Sequence, residues 1–165
     1  MDSSEYESLV QSYKNIQVIS EKSFESYPED TKIAAFSIVD EENFDFGVQF
    51  FNFLAQIFKS DVDFGFIDEN AEDENLISLR EGISNSEVVI FAFFVHSDVL
   101  DDDEKILKLN HIVENLAESK KSVGVFFSPN HIPEELNIPI KINLPAMDQP
   151  SIAAAAMYLA GRKPF

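Results

Sequence analysis

Residues 87–95 read EVVIFAFFV, and from Val88 to Val95 no polar residue interrupts the run. Every residue in it except Ala92 is β-branched or aromatic, the side chains that favour a pleated strand over a helix. The run falls far short of the ~20 apolar residues that cross a bilayer. An antiparallel strand with one wet face would alternate apolar with polar, and this one does not. It therefore reads as a central strand covered on both faces, which requires a layer of structure above and another below.

The surrounding sequence supplies those layers. KIAAFSIV (32–39) is a second continuous apolar run, closed by Asp40. In the following segment Phe46, Phe50, Phe53, Leu54 and Ile57 recur at helical spacing, with Asn43 as a plausible cap. DVDFGFI (61–67) reads as a short strand, and EDENLISLREGISN as a helix with acids in its first turn and Leu76, Leu79 and Ile83 on one side. After the central strand, Ile106, Leu109, Val113 and Leu116 mark a long helix, expected to carry lysines in its last turn. SVGVFF (122–127) and PIKINL (139–144) are further strands. The last helix is expected over 150–160, with Pro150 in its first turn and Gly161 as its C-cap. Residues 1–31, polar with sparse apolar positions, read as a lead-in arm holding one helical turn, and 32–165 as a single α/β domain. Strand and helix alternate with connections too long for hairpins. The expected fold is a three-layer α/β sandwich with a mostly parallel sheet of five to six strands and helices on both faces, flavodoxin-like in outline.

Composition restricts the partners. Twelve basic residues against thirty acidic ones give a formal charge of −18. That field repels nucleic-acid phosphates and anionic membranes, and no apolar stretch is long enough to span a bilayer. With no cysteine, disulfides and thiol chemistry are excluded. The opening MDSSEYESLVQSYK has neither the basic nor the apolar region of a signal peptide, and the compartment stays open. The oligomeric state, monomer or homodimer, is equally open.

In open α/β sheets, ligands bind beyond the carboxyl ends of the strands. Here those ends are Asp40 to Asn43, Asp68 to Asn70, His96 to Asp98, Ser128 to His131 and Pro145 to Asp148. The first of these loops, DEENFDFG, has neither a GxGxxG nor a P-loop, so no nucleotide cofactor is indicated. A phosphoacceptor pocket would need a lysine at a late strand end, where none stands. Asp101, Asp102, Asp103 and Glu104 crowd the start of the long helix. Acids there complement the helix dipole, whereas a built Mg²⁺ or Ca²⁺ site draws ligands from several segments, so the helix start is the favoured reading and no metal is expected. His96 and His131 fall just past strand ends, and His96 with Asp98 or Asp40 is a conceivable dyad, although a histidine at a loop start more often lies at the surface. His111 is expected mid-helix in solvent. Ser37, Ser97 and Ser128 lack the G-x-S-x-G elbow of a nucleophilic serine. These residues assemble no active site by themselves.

The stretch from ISNSEVVIFAFFV through AESKKSVGVFFSPNHIPEELNIPIKINLPA to DQPSIAAAAMYLAGRKPF resembles the C-terminal α/β domain of family 3 glycoside hydrolases, nearest the bacterial β-N-acetylglucosaminidase branch. The likeness lies in the apolar strand with its loop and long helix, in the strand ending in Phe-Ser-Pro, and in the small-residue helix closed by Gly, Pro and Phe. The resemblance implies a partner (β/α)₈ barrel, N-terminal to this domain, that carries the nucleophilic Asp. Many members place an acid/base Glu after the central strand in an EGxDR motif. This chain has SDVLDDDEK there, so the resemblance leaves an acid/base role for Asp101, Asp103 or Glu104 open. In the acetylglucosaminidase branch the acid/base comes from the barrel. The implied role is thus an accessory domain without catalytic residues or cofactor, one part of a longer protein. It would pack on the barrel and lend His96, Ser97, Asp98, Asn130 and His131 to the rim of a carbohydrate cleft. The alternative is a stand-alone flavodoxin-like module for ligand binding or signalling.

Overall fold

The computed structural model describes residues 2–20, 23–59, 61–68, 76–95, 97–118, 120–127 and 132–165, with 76–78 and 97 described by backbone alone. Among these residues six strands form one sheet: β1 (Gln17–Ser20), β2 (Ile33–Val39), β3 (Asp63–Asp68), β4 (Val88–Phe94), β5 (Lys121–Phe126) and β6 (Ile140–Asn143). Their order is β1-β6-β5-β4-β2-β3, and every pairing is parallel except that of β1 with β6. The helices are α1 (Ser3–Lys14), α2 (Phe44–Ile57), α3 (Leu76–Gly82), the single turn α4 (Ser97–Leu100), α5 (Asp103–Leu116) and α6 (Gln149–Leu159). α1, α2 and α6 cover one face of the sheet, while α3, α4 and α5 cover the other. The three-layer α/β architecture expected from the central apolar run is the architecture observed.

The period-2 geometry of a strand divides each apolar run between two cores. Val88, Ile90, Ala92 and Phe94 of β4 face α2 and α6, together with Ile33, Ala35, Val123 and Val125. Val89, Phe91 and Phe93 face α5, together with Phe36, Ile38 and Phe126. Register pairs Phe93 with Phe126, and their rings stack 4.5 Å apart at 2°. Phe94 and Phe127 stack on the opposite face at 4.6 Å. Such aromatic pairs contribute about 0.5–1.5 kcal/mol beyond their burial. On the α2 side the close approach is set by Gly47, where a Cβ would stand 3.0 Å from both Phe66 and Ser37. Ser37 is therefore buried under a helix and is not presented to solvent.

Three expectations change. The N-terminal segment is no arm with one turn: α1 is a full helix opened by a capping box between Asp2 and Glu5, and β1 extends the sheet edge in antiparallel sense. An aromatic cluster fastens this segment to α6. Tyr13 and Phe24 lie against Tyr158, Tyr13 meets Phe165 edge-on, and Phe24 meets Tyr27 edge-on. Asn43 occupies the α2 cap position without a side-chain bond, because Asp40 starts the segment one 3₁₀ turn earlier (Glu41–Asn43). The third change is at the end of α5, which closes at Leu116 with no basic residue in its last turn. Lys120 lies beyond it and bonds the carbonyls of Ser84 and Ser86 instead. The end of α6 follows expectation in kind: Ala160 is the C-cap, and Gly161 behind it takes φ 71°, the left-handed conformation that glycine adopts without steric cost.

Tyr27 links the fold to pH. It is buried, its N–H donates to the Leu159 carbonyl at 2.8 Å, and burial pushes its phenol from 10.0 up to about 12. The folded chain thus keeps a proton that the unfolded chain loses above pH 10. Its stabilising contribution is complete below that pH and is lost as pH rises toward 12. Tyr27→Phe should make the alkaline fall in unfolding free energy shallower by about 2 kcal/mol, as measured by urea denaturation across this pH window. An unchanged slope would show that Tyr27 is not held neutral by the core.

Candidate functional site

The chain runs from β2 outward to β3, then back across β2 to β4 and onward to β5 and β6. The direction of winding therefore reverses between β2 and β4, and a crevice at this switch point is where doubly wound sheets take ligands. Register carries Val39 beside Phe94, so the loops that follow, from Asp40 and from Val95, leave the sheet side by side. Asp40 Oδ1 accepts from the Asn43 N–H at 3.0 Å, which folds Glu41–Asn43 into a tight turn before α2. Opposite, α4 returns the chain at once toward the core, with Val99 and Leu100 buried. Asp98 stands exposed at the start of that turn, its Oδ1 accepting from the Val99 N–H at 3.1 Å.

The crowded acids have a definite local role. Asp102 is the N-cap of α5, and its Oδ1 accepts from Glu104 N–H at 3.0 Å and from Lys105 N–H at 3.1 Å. Asp103 and Glu104 occupy the first turn, where the helix dipole favours negative charge, and both are exposed. Among the described residues no group of three or more Asp, Glu or His side chains converges as a metal site. Of the other expected rim residues, His96, Asn130 and His131 lie outside the described residues, and Ser97 begins α4 with its side chain outside them. The structure thus brings Asp40, Asn43 and Asp98 to one edge. His111 is exposed on α5.

Two amides at this edge were not anticipated as site groups. Asn43 is buried, and its Nδ2 has no hydrogen-bond partner among the described residues. Asn143, at the carboxyl end of β6, has its Oδ1 in the same condition. A buried amide without a partner loses hydration with no return, so these are the points on the edge best prepared to receive a hydrogen-bonding group. The signal available in sequence was only an asparagine after a strand, which reads equally well as a cap.

A second feature lies at the other end of β6. A groove of about 940 Å³ is bordered by Ile19 of β1, Asn110 and Glu114 of α5, and the segment from Glu134 to Lys141. Asn110 Oδ1 accepts from the Asn137 N–H at 2.7 Å and so ties that segment to α5. Lys141 is buried, and its Nζ donates to the Pro133 carbonyl at 2.7 Å. Burial holds this ammonium below the usual 10.5, an effect that the nearby Glu134 and Glu135 carboxylates oppose.

No family profile matches this chain, and no curated protein matches it. Solved structures do. A β-glucosidase from Listeria innocua, in complex with isofagomine, superposes with TM-score 0.76 at 16% identity, over 98% of this chain and 26% of that one. A glycoside hydrolase family 3 β-N-acetylglucosaminidase from Paenibacillus sp. str. FPU-7 superposes with TM-score 0.65 at 14% identity, over 92% of this chain and 29% of that one. The β-glucoside phosphorylase BglX gives TM-score 0.60 at 12% identity, over 94% of this chain and 29% of that one. The fold of this chain therefore recurs within each of these longer enzymes, and the chain spans between 26% and 29% of their length.

The role of the acidic loop is open to direct test. Asp102→Ala should lower the unfolding free energy by about 1 kcal/mol, the usual cost of a lost N-cap, with the same loss in Mg²⁺, Ca²⁺ or chelator. A loss seen only when the divalent cation is present would instead identify Asp102 as a metal ligand.

Proposed function

We propose that this chain is the accessory C-terminal α/β domain of a glycoside hydrolase of the family 3 type, close to the β-N-acetylglucosaminidase branch. It packs on a (β/α)₈ barrel and lends strand-end loops to the rim of a sugar cleft. The observation that carries this reading is the asymmetry of coverage. The fold of nearly the whole chain, 98%, recurs within only 26% of a β-glucosidase. A fold repeated as about a quarter of longer enzymes is most economically read as the same kind of component here. The alternation from residue 32 to 165 forms its body.

The chemistry supports the same division of labour. Retaining glycoside hydrolysis needs two carboxyl groups, or equivalents, ~5–5.5 Å apart across one bond. In this reading the barrel supplies that pair. The switch-point edge supplies hydrogen-bonding side chains that position sugar hydroxyls: Asn43 on one side of the crevice, Asp98 on the other, and His96, Ser97, Asn130 and His131 as further rim contacts. Buried amides suit that task, since an amide both donates to and accepts from a hydroxyl group.

Purified chain should not hydrolyse p-nitrophenyl N-acetyl-β-glucosaminide or p-nitrophenyl β-glucoside above the buffer rate. Both substrates are needed because the structural likenesses include enzymes of each kind. Sustained turnover that Asp98→Asn abolishes would overturn the accessory role. A large melting shift with flavin mononucleotide or acetyl phosphate would favour a stand-alone ligand-binding module.

A further inference from the structure

The edge of the sheet formed by β3 carries a surface that the proposed function leaves unused. Among the described residues β3 is bonded to β2 alone, and its outer row of backbone N–H and C=O groups faces away from the sheet. Beside that row lies a shelf of phenylalanine rings shared with α2. Phe51 lies on Phe64 with centroids 3.7 Å apart, Phe44 lies on Phe66 at 4.5 Å, and Phe64 meets Phe66 edge-on at 5.8 Å. Phe64 is 50% exposed and Phe44 45%, a large apolar area to leave in water. Because the rings brace one another, the shelf is set before anything binds, which removes part of the ordering cost of association.

Charge narrows what fits. Glu41, Asp45, Asp61, Asp63 and Asp68 stand exposed on the elements that form the shelf and the turns beside them. Between Lys32 and Arg80 the only basic residue is Lys59, which is paired with Glu29 at 3.2 Å. Acids on an edge strand can serve simply to repel other strands. That role does not account for two phenylalanines held half in water beside the same strand. A second copy of the chain is a poor occupant, because it would bring two identical acidic edges together between chains of charge −18. Phosphate-bearing polymers are repelled by the same field.

We propose that the β3 edge and its aromatic shelf dock an extended segment of a partner polypeptide in which bulky apolar residues alternate with Lys or Arg. Backbone pairing along β3 supplies register. The apolar side chains lie on Phe64 and Phe44, on the α2 side of β3, and the cations, on the other face of the added strand, meet Asp63. This is strand addition to an open edge, with selectivity set by charge. It uses a different part of the sheet from the β2–β4 switch point and stands or falls independently of the glycosidase reading.

The test is titration of the ¹⁵N-labelled full chain with a capped peptide of alternating Lys and Val, followed by amide chemical shifts. The expected shifts centre on Phe64–Ile67 and the first turn of α2, and added salt weakens them. Phe64→Ser, at a half-exposed site where the fold is not at risk, should weaken binding about tenfold. The variant Asp63→Lys should weaken binding of the Lys peptide and favour a Glu–Val peptide of the same length. The proposal is overturned by shifts that fall on β1 instead of β3, by no shifts at all, or by equal binding of both peptides to the charge-reversed chain. Shifts at β3 produced by a chitooligosaccharide and not by the peptide would equally overturn it.

Discussion

Everything in this molecule depends on burying both faces of β4 and its neighbours. A strand whose side chains are apolar on both sides cannot be satisfied by a single layer, so helices must form above and below it before any of the three layers is stable. The cross-strand ring pairs Phe93–Phe126 and Phe94–Phe127 lie on opposite faces of the same two strands, which locks the registers of the two cores to each other. A slip of one residue between β4 and β5 would break both stacks at once. The positions of the loops at the carboxyl edge, including Asp40, Asn43 and Asp98, follow from that fixed register.

The acidity of the chain is in part a consequence of how its elements begin. Asp2 caps α1, Asp40 the turn before α2, Asp102 caps α5 and Asp148 caps α6, each accepting from a backbone N–H two or three residues on. These carboxylates satisfy N–H groups that no helix can bond internally, and they stand where the macrodipole is positive. Asp102, Asp103 and Glu104 thus each have a local role at the start of α5.

Much of the architecture was legible because it rests on local periodicity. The runs at 32–39 and 87–95 and the three-and-four spacing of Ile106, Leu109, Val113 and Leu116 place β2, β4 and α5 nearly to the residue. The N-terminal elements were not legible for a physical reason. α1 buries only Leu9, and β1 buries nothing fully, with Val18 and Ile19 substantially exposed. Neither leaves an apolar pattern, because their stability comes from contacts with α6 and β6, far along the chain. The site followed the same rule. The edge on which the strand-end loops gather could be read from strand ends, but the unpartnered amide atoms of Asn43 and Asn143 and the buried ammonium of Lys141 depend on the surrounding tertiary structure.

Native-state hydrogen exchange followed residue by residue tests the central claim most directly. If double burial of the central strands organises the molecule, the amides of Val89–Phe93 and Val123–Val125 exchange only through global unfolding, with free energies equal to the total stability. Those of β1 should open at much lower cost. Exchange of β4 by local opening, or protection of β1 equal to that of β4, would contradict the account.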